Sequence, residues 1–191
     1  LPLVAINIAA SLSGIYLVQG HIEQALRYGN SALTVAQAIC QPEELALTAI
    51  DIASIHLMRR DPFEMQPLLR IARSQVSTEN VYLSTLISLF EAEAYLIEGH
   101  YRFALEAAEE GANAMEGLHL YRYLGSALRI KADADNALGN HAEAGRAICE
   151  SLEVLESSGH AFALARAYYS AARICDEPAY SARANELTGA A

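Results

Sequence analysis

Tyr16-Leu-Val-Gln-Gly20-His-Ile-Glu-Gln-Ala25-Leu26 and Tyr95-Leu-Ile-Glu-Gly99-His-Tyr-Arg-Phe-Ala104-Leu105 carry one pattern, seventy-nine residues apart. A shorter copy, Ala137-Leu-Gly139-Asn-His-Ala-Glu-Ala144, and a diverged one, His56-Leu-Met-Arg-Arg60-Asp-Pro-Phe-Glu-Met65, fill the register between and after them. Gly20, Arg60, Gly99 and Gly139 therefore stand 40, 39 and 40 residues apart. Self-similarity at a fixed period of this length is the signature of a repeat architecture.

The register can be checked away from the turns. Three more columns follow from it: Ser13, Ala53, Ala92, Ala132; then Ala25, Met65, Ala104, Ala144; then Ala32, Ala72, Gly111, Ser151. Eleven of these twelve residues are Ala, Gly or Ser, with Met65 the exception. Small residues recurring on both sides of a turn let two helix backbones approach closely, so each unit reads as a packed helical hairpin. Apolar positions at three- and four-residue spacing, such as Leu83, Leu86, Ile87, Phe90, Ala94 and Ile97, select helix over strand. Helices are expected near residues 3–19, 22–40, 43–59, 63–76, 80–98, 101–116, 119–138, 141–157, 160–175 and 178–188. They make five hairpins, roughly 3–40, 43–76, 80–116, 119–157 and 160–188, in a single domain. In the fifth, Ala182 or Ala184 would fill the second small column, and Pro178 interrupts the register after about residue 165.

His21, Asp61, His100 and Asn140 follow the turns, where a second helix needs an N-cap. Asp61, Pro62 and Glu64 have the form of a capping box with proline at the first helical position. Pro67 conflicts with a regular helix there, since it lacks the N–H for one hydrogen bond; the helix is expected to kink or to start late.

Composition excludes several functions. A formal charge of −10, from 13 basic and 23 acidic residues, opposes contact with a phosphate backbone, so direct nucleic-acid binding is not expected. Leu3 to Ala10 is far shorter than a membrane span and has no basic segment before it. Cys40, Cys149 and Cys175 form no CxxC pair and no disulfide framework, which points to the cytoplasm. The absence of an initiator Met before Leu1 suggests a segment of a longer polypeptide.

Leu12, Ser13, Tyr16, Gly20, Ala25 and Ala32, and again Ala92, Tyr95, Gly99, Ala104 and Gly111, resemble the tetratricopeptide repeat. The period is about 40 rather than 34, the early aromatic of the first helix is missing, and no proline closes each repeat. Longer repeats of this kind are similar in style to the MalT-like helical region of large LuxR-type bacterial regulators. The resemblance implies an all-α, right-handed α-α superhelix acting as a sensor of a small-molecule inducer or of a protein partner. The alternative is a scaffold or adaptor that binds a peptide or helix.

That resemblance also implies that the first helix of each hairpin lines a concave groove. Its positions are Asn7, Ala10, Gly14 and Leu17; Ile50, Ser54 and Leu57; Leu89, Glu93 and Leu96; and Arg129, Asp133 and Asn136. The mixture suits an amphipathic helix or an apolar small molecule. Arg129 and Asp133 stand at i,i+4, so a structural ion pair is weighed beside recognition of a carboxylate.

The remaining chemistry-bearing residues read as structural. His21 and His100 are two repeat units apart, which makes a shared metal ion geometrically awkward. His56 takes the place of Tyr16 and Tyr95 and reads as a core or interface residue, while His119, His141 and His160 fall at helix starts and are expected to be exposed. HExxH, CxxC, GxGxxG and GxxxxGK[ST] are all missing, so no metal, no cofactor and no enzymatic activity is expected. Glu150 and Glu153 near Cys149 would disfavour its thiolate. The first helix is apolar on almost every side through Leu3, Val4, Ile6, Ile8 and Ala9. It is expected to be covered by an earlier repeat or by a second copy in a homodimer.

Overall fold

The three- and four-spaced apolar runs become ten α-helices in the computed structural model, which describes residues 2–39, 41–77 and 79–189. They are α1 (Pro2–Val18), α2 (Ile22–Ile39), α3 (Pro42–Met58), α4 (Pro62–Gln75), α5 (Val81–Glu98), α6 (Tyr101–Gly117), α7 (Tyr121–Leu138), α8 (His141–Ser158), α9 (Ala161–Cys175) and α10 (Pro178–Thr188). Each begins and ends within two residues of its expected position, and no strand occurs among the described residues.

The turns explain that agreement. Gly20, Arg60, Gly99 and Gly139 all have positive φ, from 54° to 86°. At each, the N–H of the following residue donates to the carbonyl five residues back: His21 to Tyr16, Asp61 to His56, His100 to Tyr95 and Asn140 to Asp135, at 2.8–3.0 Å. The left-handed residue itself donates to the carbonyl three back, so α1, α3, α5 and α7 each end in a Schellman motif. Left-handed φ is free for glycine and strained for Arg60.

The same motif corrects the expected N-caps. Of the four residues, Asp61 caps with its side chain, accepting from the Glu64 N–H at 3.3 Å. His100 and Asn140 make no side-chain cap bond; Asn140 instead donates to the Asp135 carboxylate at 3.0 Å. The Asp61 N–H already serves His56, so the reciprocal half of a capping box has no free donor to meet. His119 is likewise not a helix start: it has φ 56° and ends α6, with α7 beginning at Tyr121. Pro67 does not delay α4, which runs from Pro62 through it. Pro67 and Phe63 are both exposed, so the N–H that proline lacks falls on the solvent-facing side of the helix.

The chain divides into two compact units, Leu1–Ala94 and Tyr95–Ala191. In the first, α1 packs on α2, α3 on α4, and α2 and α1 both touch α3. Ile6, Ala32 and Ala36 form one core cluster with Ala9, Val35, Ile39 and Leu45 around it. Gly29 lies so near Ile52 that a Cβ would sit 2.9 Å from its Cγ1. Arg73 of α4 ties the start of α5 in place through Ser84 Oγ (3.0 Å), Ser88 Oγ (3.0 Å) and Glu91 (2.7 Å).

In the second unit α7 packs on α6 and α8, α9 on α8 and α10, and α7 meets α9 directly. Ala132, Ile148, Leu152, Leu155, Ala167, Tyr168, Ala171 and Ala184 belong to one core. Of the two candidates in the last hairpin, Ala184 is buried and Ala182 is exposed.

All twelve residues of the small columns are buried. Two of the serines use that burial, Ser13 Oγ donating to the Ala25 carbonyl at 2.8 Å and Ser151 Oγ to the Gly125 carbonyl at 2.7 Å across the hairpin. Met65 is fully buried, its flexible thioether taking the place of a methyl group.

Candidate partner-binding faces

First helices touch first helices within each unit, α1 against α3 and α7 against α9. In the first unit, Asn7 and Gly14 are exposed, and Ala10, Leu17, Ser54 and Leu57 half-buried. Ile50, Leu89 and Glu93 are buried, positions from which a side chain supports a surface rather than forming it. Ser54 bonds back to the Asp51 carbonyl of its own helix.

In the second unit Leu96, Asp133 and Asn136 are half-buried and Arg129 is buried. Arg129 Nη1 meets Asp133 Oδ2 at 3.0 Å, the i,i+4 pair anticipated from spacing. The Asp133 carboxylate also accepts from Ser170 Oγ at 2.8 Å and from Arg173 Nη2 at 2.8 Å. Two helices thus share one carboxylate, and Arg173, with its side chain 66% exposed, brings a guanidinium fixed at one edge out to solvent. Asn136 is occupied at the turn, its Oδ1 3.0 Å from His141 Nδ1.

Ser170 and Arg173 were not among the expected groove residues, though a signal for them exists. Asp176 has φ 51° and ends α9 as Gly139 ends α7. Setting these two turns in register aligns Ser170 with Asp133 and Arg173 with Asn136. An aspartate in the turn and a spacing of 37 conceal that alignment.

Asp51 is a second residue that spacing did not single out. It is exposed on α3, yet desolvation by the surrounding protein pushes its carboxyl up to about 6. His56 is buried, as expected of a residue in the Tyr16 and Tyr95 column, and its Nδ1 has no hydrogen-bond partner. Burial lowers its pKa, which keeps the ring neutral near pH 7. His119, His141 and His160 are exposed. His160 lies 3.2 Å from Arg122, and burial together with that cation lowers its pKa. Cys149 and Cys175 are free and exposed; Cys40 lies outside the described residues. Burial, then the neighbouring Cys149 and Glu177, push the Cys175 thiol up, away from a reactive thiolate.

No group of three or more His, Cys, Asp or Glu able to hold a metal ion occurs among the described residues, and none of their helices is long and apolar enough to cross a membrane. The fold defines an all-α protein of successive packed helical hairpins. No protein-family model matches the chain, and no curated protein matches it.

Proposed function

We propose that the chain is a non-enzymatic binding module that holds a protein partner or a small-molecule inducer against the first helices of its hairpins. In this reading it is the sensing part of a cytoplasmic bacterial transcriptional or signalling regulator. Its hairpins follow one another as turns of a right-handed superhelix of the tetratricopeptide type. The roughly 40-residue period and the shared turn chemistry support that likeness.

The observation that carries the binding role is the shared Asp133 carboxylate. Arg129, Ser170 and Arg173 converge on it from α7 and α9, so the exposed part of Arg173 is held in one orientation before any ligand arrives. A guanidinium fixed in this way, on a chain of net charge −10, is suited to a carboxylate or another compact anion of a ligand. The half-buried Leu17 and Leu57, on the touching helices α1 and α3, favour the scaffold reading instead, since apolar side chains on neighbouring helices can accept the apolar face of an amphipathic helix.

Thermal unfolding against a panel of small carboxylates and of acidic amphipathic peptides separates the readings, because a ligand of the folded state raises Tm by mass action. A saturable rise with a small carboxylate, abolished in Arg173→Ala and kept in Lys131→Ala, supports the sensor. A rise with helical peptides that survives Arg173→Ala but falls in Leu17→Ala or Leu57→Ala supports the scaffold. No rise with either panel overturns both sites.

A further inference from the structure

Charge in the second unit is segregated by helix. α6 and α8 carry eight glutamates against Arg102 and Arg146, whereas α7 and α9 carry five basic residues against Asp133 and Asp135. α3 and α5, first helices of earlier hairpins, hold six acidic residues and no Arg or Lys, so a basic first helix is not a property of the repeat. Lys131 turns to Glu109 of α6 at 2.6 Å, and Asp135 is buried against Asn140. The four arginines that remain keep to one side of their helices. Arg122 and Arg129 stand seven apart on α7, as Arg166 and Arg173 do on α9, and seven residues are two helical turns. We propose that the seam between α7 and α9 binds an extended acidic peptide segment, with one carboxylate at Arg173 and a second at Arg122. This rests on the binding role of Arg173 and adds the chemistry of the partner.

Three links fix the seam. Arg122 Nη1 meets His160 Nε2 at 3.2 Å, and Asp133 accepts from Ser170 and from Arg173 at 2.8 Å each. They join residues 38, 37 and 40 apart, so the two helices run parallel in one register. Each end of the seam thus presents a guanidinium that is held before a ligand arrives. Arg173 is held through Asp133, and Arg122 lies over the Tyr123 ring, 4.1 Å from its centroid. The polar side-chain partners of Arg122 among the described residues are Tyr123 and His160, not carboxylates, so its charge is left uncancelled. A guanidinium has five N–H donors, and neither arginine spends them all on these contacts.

Spacing selects the ligand. Arg122 and Asp133 are eleven residues apart on α7, about 16 Å along the axis. A small dicarboxylate is too short to bridge that distance, whereas two glutamates about five residues apart on an extended chain match it. Between the two ends lie Ser126 and Ala163, both half-buried and aligned in the same register. Their small side chains leave room for an extended main chain and give the apolar face of a helix no anchor.

Charge disfavours a nucleic acid at the same place. A strand brings a phosphate at every nucleotide, and the glutamates of α6 and α8 flank the seam with the opposite preference. Tyr123 is already covered by the Arg122 guanidinium, which removes a ring on which a base would stack.

The test is fluorescence anisotropy of the whole chain with dye-labelled decapeptides of serine, glycine and alanine, blocked at both ends. One carries two glutamates five residues apart, and the other carries a single glutamate. The two-glutamate peptide is expected to bind with a dissociation constant below about 1 mM. Arg122→Gln and Arg173→Gln should each weaken it about tenfold, as should removal of one glutamate. Arg146→Gln on α8 should leave it unchanged. Far-ultraviolet circular dichroism should show the same helix content throughout, and Arg122→Lys, which keeps the charge, should retain more affinity than Arg122→Gln. Equal binding of the two peptides, sensitive to Arg173→Gln alone, overturns the proposal while leaving the carboxylate role of Arg173 in place. Binding of neither peptide, with a small carboxylate still raising Tm, does the same; if no carboxylate of any kind binds, both readings fall. Binding indifferent to both arginines overturns the proposal, as does a labelled decathymidylate that binds more tightly than the two-glutamate peptide.

Discussion

Arg60 shows how much a single backbone position costs. It sits with φ 54° where α1, α5 and α7 use glycine, and a side chain in the left-handed region is strained by about 1 kcal/mol. Arg60→Gly is therefore expected to stabilise the chain by about that amount, read as a higher urea midpoint at unchanged slope. Gly125 presents the opposite case. A Cβ there would lie 2.4 Å from Leu155 Cγ, whereas one at Gly145 would meet nothing within 4 Å. Gly125→Ala should destabilise by about 1–3 kcal/mol through overpacking, and Gly145→Ala should stabilise by up to about 1 kcal/mol through helix propensity.

Asp51 gives a pH signature. Its folded-state pKa of about 6 lies above the ordinary 3.8, so the folded chain binds the proton more tightly than the unfolded one. Stability from this group is full below about pH 4 and is lost as pH rises through 6. Because the side chain is exposed, solvent screens part of that cost. Asp51→Asn should raise Tm at pH 7 more than at pH 4; equal shifts at both would show an ordinary carboxylate.

At the scale of the element, α4 and α10 depart from their neighbours. α4 carries Pro67 in its interior, yet the proline stands on the exposed face and the helix is held by the buried Met65, Leu69 and Ala72. Pro67→Ala restores one hydrogen bond and loses the proline's restriction of the unfolded chain. The balance is a gain of about 1–2 kcal/mol, measurable by denaturant unfolding. α10 has 11 residues and Ala184 as its one buried side chain. Short, exposed helices open at low free-energy cost, so its amides should exchange with solvent faster than those of α8, which buries six residues.

Over the whole molecule, acidic residues outnumber basic ones by 23 to 13, and ion pairs such as Arg59–Glu23 and Arg183–Glu186 are exposed. Exposed pairs contribute little, so like-charge repulsion across the surface outweighs them. Salt that shortens the Debye length from about 10 Å to about 3 Å should raise Tm. A fall would mean that the ion pairs dominate.

Ten helices and their limits were legible in sequence because short-range chemistry sets them. Glycine at the left-handed positions and apolar residues at helical spacing are decided within a few residues. The small columns were legible too, since close helix approach leaves the same mark in every repeat. The N-caps misled in part: Asn140 spends its side-chain amide on the Asp135 carboxylate, and the Asp61 N–H, committed to the Schellman turn, leaves no donor for the reciprocal half of a capping box, competitions invisible in residue type. Asp133 with Ser170 and Arg173 was out of reach for a different reason. It joins residues 37 and 40 positions apart across a turn in which aspartate replaces glycine, and only the packing of α9 on α7 brings them to one carboxylate. Sequence by itself thus determined the elements, whose causes are local. Tertiary structure decided which polar groups meet, because that depends on contacts between helices rather than within them.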